Sequence, residues 1–243
     1  MSNLADIARL LPSWMLGKFW IPAFISLIFA AFGRAVRGVT ATGALAGSLA
    51  CFALLVAAGP SGFAALLAVF ILTWLSTRVG YGRKQSQGTA ERRAGRSASQ
   101  VFANLGVACF CAILYATVWR DPRLLIALGA ALAEAAADTV SSEIGQAVGE
   151  VPRLITNWKP VPAGTDGAIT LAGTAVGVAA AIAVSLTGIV PWRLAPICAV
   201  AGVLGMFADS LLGATLERCG FLGNNAVNFA STAIAALIAF QIP

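Results

Sequence analysis

Long apolar runs broken by short polar stretches dominate this chain. A bilayer core needs roughly 17–25 mostly apolar residues per helix. Eight runs approach that length: about Phe19–Phe32, Gly43–Ala58, Phe63–Thr77, Val101–Val118, Leu124–Ile144, Ala168–Ile189, Leu194–Leu216 and Ala226–Phe240. The pattern predicts an all-α polytopic membrane protein of about eight transmembrane helices, with residues 19–243 as a single transmembrane helical domain. Residues 1–18 read as an N-terminal interfacial segment, because Leu4–Trp14 is amphipathic and suits the membrane surface. Phe19–Phe32 also resembles the core of a signal peptide, with small residues in Ala31-Phe32-Gly33. The arginines after it and the many spans that follow favour a retained helix.

Composition narrows the class. Of 243 residues, 59% are apolar, 11% are charged and none is histidine. Soluble domains carry about a quarter charged residues, so an ordinary cytosolic enzyme is excluded, as are a disordered chain and a collagen-like repeat. Transmembrane β-barrels alternate polar and apolar positions and do not reach this hydropathy. The missing histidines exclude Ser-His-Asp triads, phosphohistidine intermediates and the usual zinc sites. No GxxxxGK[ST] occurs, which excludes a P-loop enzyme. Cys51, Cys109, Cys111, Cys198 and Cys219 form no CxxC and read as small hydrophobes.

Charge sets the orientation. With the loop after the first span inside and strict alternation thereafter, eleven of the 16 Lys and Arg residues fall inside and five outside. This asymmetry puts the N-terminus outside the cell inner membrane. It also accounts for the net charge of +6 without nucleic acid. Every polar cluster then lands on the cytosolic side, which predicts a cytosol-facing site.

Three acids sit within the fifth span: Glu134, Asp138 and Glu143. Glu134, Asp138, Ser141, Ser142 and Gly145 share one helix face, whereas Glu143 turns away from it unless the helix unwinds. Two spans later, Asp209 is followed by Ser210. Asp138 and Asp209 lie about 14 and 15 residues from the outer ends of their spans, hence at similar depth. An ionised Asp in a span costs on the order of 3 kcal/mol, so it must be paired, protonated or bound to a cation. One solution is an arginine pair that glues helices together. The other is Mg²⁺, which oxygen ligands without His or Cys suit. Glu134, deeper in the membrane, either supports the other acids or relays a proton.

The loop Arg78–Gln100 holds six cations and four glycines. A bare charge run is a juxtamembrane anchor. Here cations alternate with glycines, hydroxyls and amides, which suits a phosphate-gripping loop that leads into a helix N-terminus at Ser97–Gln100. Asn104 lies just inside that span. Gly164-Thr165-Asp166-Gly167 opens the sixth span and Asn224-Asn225 the eighth, with Asn228 one turn on. Asp166, Asn224 and Asn225 are either helix N-caps or part of a ring of helix ends facing a polyphosphate.

Together these motifs resemble a known family. Asp138-Thr-x-Ser-Ser-Glu-Ile-Gly145, Gly164-Thr-Asp-Gly-Ala-Ile169, Ala208-Asp-Ser-Leu-Leu-Gly-Ala214 and Asn224-Asn-x-Val-Asn228 are similar to the integral-membrane family containing the phytyl-phosphate kinase of plants and cyanobacteria and human transmembrane protein 19. Arg92-Arg-x-Gly-Arg96 with Gln100-Val-x-x-Asn104 adds to the likeness. Thr170 stands where serine is expected and Leu105 where glycine is expected. The resemblance implies a CTP-dependent kinase that forms an isoprenoid diphosphate from phytyl or polyprenyl monophosphate in the membrane lipid, with Mg²⁺. An acceptor phosphate needs no general base, since its second pKa is about 6, which agrees with a chain lacking histidine.

In that reading Asp138, Glu143 and Asp209 hold the metal and Arg96 completes the catalytic set. Arg83, Lys84, Arg92 and Arg93 clamp phosphates, and Thr165, Asp166, Asn224 and Asn225 shape the nucleotide loop. Arg34, Asn104, Ser142, Gly164, Gly167, Ser210 and Asn228 complete the expected substrate- and nucleotide-binding set. The alternatives are a CTP-dependent cytidylyltransferase making a CDP-lipid, and a cation- or proton-coupled transporter.

Overall fold

Helices end close to where the sequence expects, including the break between the second and third apolar runs, which is a reversal at Gly59. The computed structural model describes residues 13–91 and 93–242. The elements are α1 (Ser13–Ala35), α2 (Ala41–Arg78), α3 (Tyr81–Ser86), α4 (Ala98–Thr117), α5 (Arg123–Val148), β1 (Arg153–Leu154), β2 (Ala168–Ile169), α6 (Leu171–Ser185), α7 (Ala195–Leu212), a π-turn (Gly213–Glu217) and α8 (Asn224–Phe240). The interfacial segment expected over 1–18 lies outside the described residues up to residue 12. From Ser13 the chain is already part of α1.

Helix α2 is two spans joined tip to tip. Gly59 adopts φ 62°, ψ −147° just before Pro60, a conformation open to glycine. The chain folds back there. Trp74 Nε1 and Arg78 Nη2, near the end of α2, both donate to the Val36 carbonyl before its start, at 3.2 and 2.7 Å. The two short runs predicted over Gly43–Ala58 and Phe63–Thr77 are thus the arms of a helical hairpin.

Helix α5 runs through the middle of the bundle. Every residue from Ile126 to Ala137 is buried, as expected of a helix that is apolar all round. Its alanines let neighbours approach closely, and glycines on α7 complete the fit. A Cβ on Gly202 would stand 2.8 Å from the Ala133 Cβ and 2.9 Å from the Glu134 nitrogen. Large apolar side chains such as Phe24, Phe102, Phe110, Val200 and Leu237 point outward and are exposed, a surface that hydrocarbon, not water, tolerates. Among the described residues, four helices are long and apolar enough to cross a membrane (Ala41–Arg78, Ala98–Thr117, Arg123–Val148 and Ala195–Glu217), beside the shorter apolar helices Phe19–Ala35, Leu171–Ser185 and Asn224–Phe240. This is an all-α polytopic membrane protein.

One expected boundary moves. The sixth span begins at Leu171 rather than Ala168, because Ala168 and Ile169 pair antiparallel with Arg153 and Leu154. That pairing folds the 153–169 segment over one end of the bundle. The five cysteines are free thiols.

Placing Val at Gly202 must push α7 off α5, at a cost of about 1–3 kcal/mol. Gly202→Val therefore lowers the melting temperature of the detergent-solubilised protein. Gly82→Val, at a position where a Cβ meets no atom within 4 Å, leaves it nearly unchanged.

Candidate functional site at one end of the bundle

The acidic face of α5 meets the end of α7. Asp138 and Asp209 face each other carboxyl to carboxyl, and Asp209 Oδ2 accepts a hydrogen bond from Ser231 Oγ of α8 at 3.1 Å. Glu134, one turn deeper and 1% exposed, lies beside both aspartates. Its Oε1 has no hydrogen-bond partner among the described residues. One turn after Asp209 the α-helix widens into the Gly213–Glu217 π-turn. Such turns recur at functional sites, where they redirect a side chain.

Asp138 and Asp209 border a cavity of about 330 Å³. Ser142 and Gly145 of α5 line one wall. The turn Gly164-Thr165-Asp166-Gly167 lines another, Ser210 and Glu217 close a third, and Asn224 and Thr89 complete the rim. Gly167 explains how the turn comes so close: at φ 73°, it lies where a Cβ would be 2.3 Å from the Ala214 nitrogen. Neither Asp166 nor Asn224 is a helix cap. Thr170 caps α6, accepting from the Gly173 N–H at 3.1 Å, and α8 starts after Gly223 without a side-chain cap. Both side chains are free to serve the cavity.

The balance of charge there is one-sided. Asp138, Asp166, Asp209 and Glu217 all line this space, and no Lys or Arg does among the described residues. Four carboxylates around so small a volume repel one another and require a compensating cation or proton.

The basic residues lie elsewhere. Arg96 donates from Nη1 to Thr139 Oγ1 at 3.4 Å, next to Asp138 on α5. With Arg93 and Asn104 it lines a second cavity, which α5 borders at Ala135, one turn before Asp138. Asn104, 7% exposed, is held by its Nδ2 donating to the Gln100 carbonyl at 2.8 Å. The expected helix start at Ser97 is present as a reciprocal capping box with Gln100.

Several expected site residues have other roles. Lys84 is fully buried and forms an ion pair with Glu143, while also donating to the Ser76 and Thr77 carbonyls at 3.1 and 2.8 Å. Glu143 accepts from Thr77 Oγ1 at 3.4 Å as well. Helix α5 stays regular to Val148, so Glu143, five residues past Asp138, points to the opposite side and is not a third ligand beside Asp138 and Asp209. Among the described residues no group of three or more acids and cysteines is arranged to hold one ion. Arg83 packs its guanidinium on Gly149 at the end of α5, where the helix dipole favours a cation. Arg34 is exposed. Arg34, Arg83, Asn225 and Asn228 border neither cavity, and the Asn228 carbonyl accepts from Ser231 Oγ at 3.0 Å. Arg92 lies outside the described residues. Arg37, Arg78 and Glu217, which motif reading passed over, do border the cavities.

The model of the integral membrane protein family DUF92 matches residues 24–236. The chain belongs to this family. An uncharacterized membrane protein of Methanocaldococcus jannaschii is 35% identical over 228 residues, covering 93% of this chain and 94% of that protein. The chloroplast protein VTE6 of Arabidopsis thaliana is 32% identical over 216 residues, 84% of this chain and 65% of VTE6. A membrane protein of Synechocystis is 34% identical over 194 residues, 76% of this chain and 75% of that one. No solved structure matches the chain. This DUF92 family is the one whose motifs the sequence resembles.

The buried Lys84–Glu143 pair yields a test of its role. Removing one partner strands a buried charge at a cost of about 3–5 kcal/mol, whereas replacing both with apolar residues of similar volume restores stability. Glu143→Leu should therefore lower the melting temperature sharply, and the double variant Lys84→Met, Glu143→Leu should regain most of it. A double variant as unstable as the single one would contradict a pairing role.

Proposed function

We propose that this DUF92 protein is a phosphotransferase that moves the γ-phosphate of CTP onto an isoprenoid monophosphate at the cytosolic face of the membrane. The observation that carries this reading is the acidic cavity itself. A space bordered by four carboxylates and no base among the described residues repels a bare nucleotide, and accepts one that arrives with divalent metal.

The donor set fits Mg²⁺. That ion binds through one or two carboxylates and completes its shell with water and substrate phosphates, which matches Asp138 and Asp209 without Glu143. The orphaned Glu134 oxygen, buried beside them, offers a further acceptor for a metal-bound water. When bound, the metal would neutralise charge developing on the transferred phosphoryl group.

This chain's residues would then do what phosphoryl transfer demands, which is positioning and electrostatics more than covalent chemistry. The turn from Gly164 to Gly167 supplies backbone approach and Asn224 an amide at the rim. Arg96, on the boundary beside Thr139, would hold the acceptor phosphate against the γ-phosphorus. An oxygen of the acceptor dianion forms the new P–O bond, and the bond from the γ-phosphorus to the β–γ bridging oxygen breaks. CDP leaves with that electron pair. No proton has to be removed, consistent with the absence of histidine.

The test supplies purified protein with γ-labelled CTP, Mg²⁺ and geranylgeranyl or phytyl phosphate. Label should appear in a lipid diphosphate, with CDP as co-product, and chelation of divalent metal should abolish it. Asp138→Asn should cut turnover at least 100-fold, about 2.7 kcal/mol of barrier, while the protein stays inserted and folded. Label released as pyrophosphate would instead assign nucleotidyl transfer, and label in neither lipid nor pyrophosphate would defeat both.

A further inference from the structure

The second cavity, of about 330 Å³, lies between α1, α2, α4 and α5. Its deep wall is hydrocarbon, from Phe29, Leu66, Val69, Phe70 and Leu105. Its mouth is basic: Arg37, Arg78, Arg93 and Arg96 border it, against one carboxylate among the described residues, Glu91, which accepts from Gln100 Nε2 at 3.1 Å. Arg78 is committed to the fold through the Val36 and Trp74 carbonyls, which leaves Arg37, Arg93 and Arg96 to face a ligand. From Leu66 to Arg78 the helix rises about 18 Å, so the space is long as well as narrow. An apolar slot ending in arginines is complementary to an anionic head on one hydrocarbon chain.

Its position relative to the acidic cavity is the second observation. Ala135 lines the apolar slot and Asp138 the acidic cavity, one turn apart on α5. The loop that supplies Thr89 to the acidic cavity supplies Arg93 and Arg96 to the apolar one. The two spaces therefore converge at Arg96.

We infer that the apolar slot between α1, α2, α4 and α5 is the binding site for a single-chain lipid monophosphate, its phosphate held by Arg37, Arg93 and Arg96 at the boundary with the acidic cavity. This rests on the proposed transfer reaction for the identity of the lipid as acceptor, but the binding site itself is tested without turnover.

Gly47 provides the probe. It lines the slot, and a Cβ there meets no atom within 4 Å, so a larger side chain grows into the empty space. Binding of geranylgeranyl phosphate, geranyl phosphate, geranylgeraniol and inorganic phosphate is measured on purified protein in nanodiscs without nucleotide. Wild-type protein should bind geranylgeranyl phosphate at least tenfold more tightly than either the alcohol or inorganic phosphate. Gly47→Phe should weaken the twenty-carbon phosphate at least tenfold while sparing the ten-carbon one, and Gly47→Leu, the milder change, should do so to a smaller extent. Arg37→Gln should erase the preference for phosphate over alcohol. Melting temperatures establish that each variant is folded. Undiminished twenty-carbon binding in folded Gly47→Phe and Gly47→Leu overturns the assignment, as does inorganic phosphate binding as tightly as the lipid. If wild type binds lipid phosphate in this manner yet transfers no label from CTP, the reaction fails and the site stands. If folded Gly47→Phe transfers label to the twenty-carbon acceptor at the wild-type rate, the site fails and the reaction stands.

Discussion

A helix enclosed on every side has no solvent in which to hide a charge, and α5 carries three acids near the end of such a path. Its middle, Ile126 to Ala137, is entirely walled by other helices. Glu134 falls within that stretch and Asp138 just beyond it. Each acid must then find its compensation locally, and the bundle solves the problem in two ways. Glu143 takes Lys84 as a partner. Among the described residues, Glu134, Asp138 and Asp209 receive no basic partner of that kind and share a small space with one another and Ser231. A protein that pairs one acid and leaves its neighbours to a cavity has separated structural charge from charge available to a ligand.

That separation organises the whole polar end. The Lys84–Glu143 pair anchors the start of the basic loop to α5, and the backbone at Arg96 anchors its end: the Thr40 N–H donates to the Arg96 carbonyl, and the Arg96 N–H donates to the Gly38 carbonyl, both at 3.0 Å. Between these fixed points the loop passes from the acidic cavity to the arginine-bearing slot. Two substrates of unlike character, a metal-carrying polyphosphate and a lipid phosphate, would call for two such environments with a shared edge. The Gly164–Gly167 turn reaches the acidic cavity only because β1 and β2 hold its stem and because Gly167 tolerates contact with Ala214.

The architecture was largely legible because bilayer thickness imposes a length on every apolar run. Eight runs were visible, and the boundaries of α4, α5, α7 and α8 fall within a few residues of them. The α2 hairpin was visible too, since Gly59-Pro60 interrupts the hydropathy. The start of α6 was misplaced because Ala168 and Ile169 are apolar for a reason that hydropathy does not encode, a two-residue ladder with a distant partner. The short α3 helix within the basic loop left no apolar periodicity to find.

For the site, the chain alone determined that Asp138 and Asp209 sit at matching depth on helices running the same way, since rise per residue fixes depth once a span is placed. Whether Glu143 leaves the Asp138 face turned on the helix staying unbroken, which only the structure decided, with α5 regular to Val148. Which basic residues serve a ligand was decided only by tertiary structure. Lys84 and Arg83 look like Arg93 and Arg96 in a run of cations, and local sequence cannot say which of them a neighbouring helix will bury, cap or leave facing a cavity. That choice depends on where α5 passes, and α5 is positioned by packing from every side.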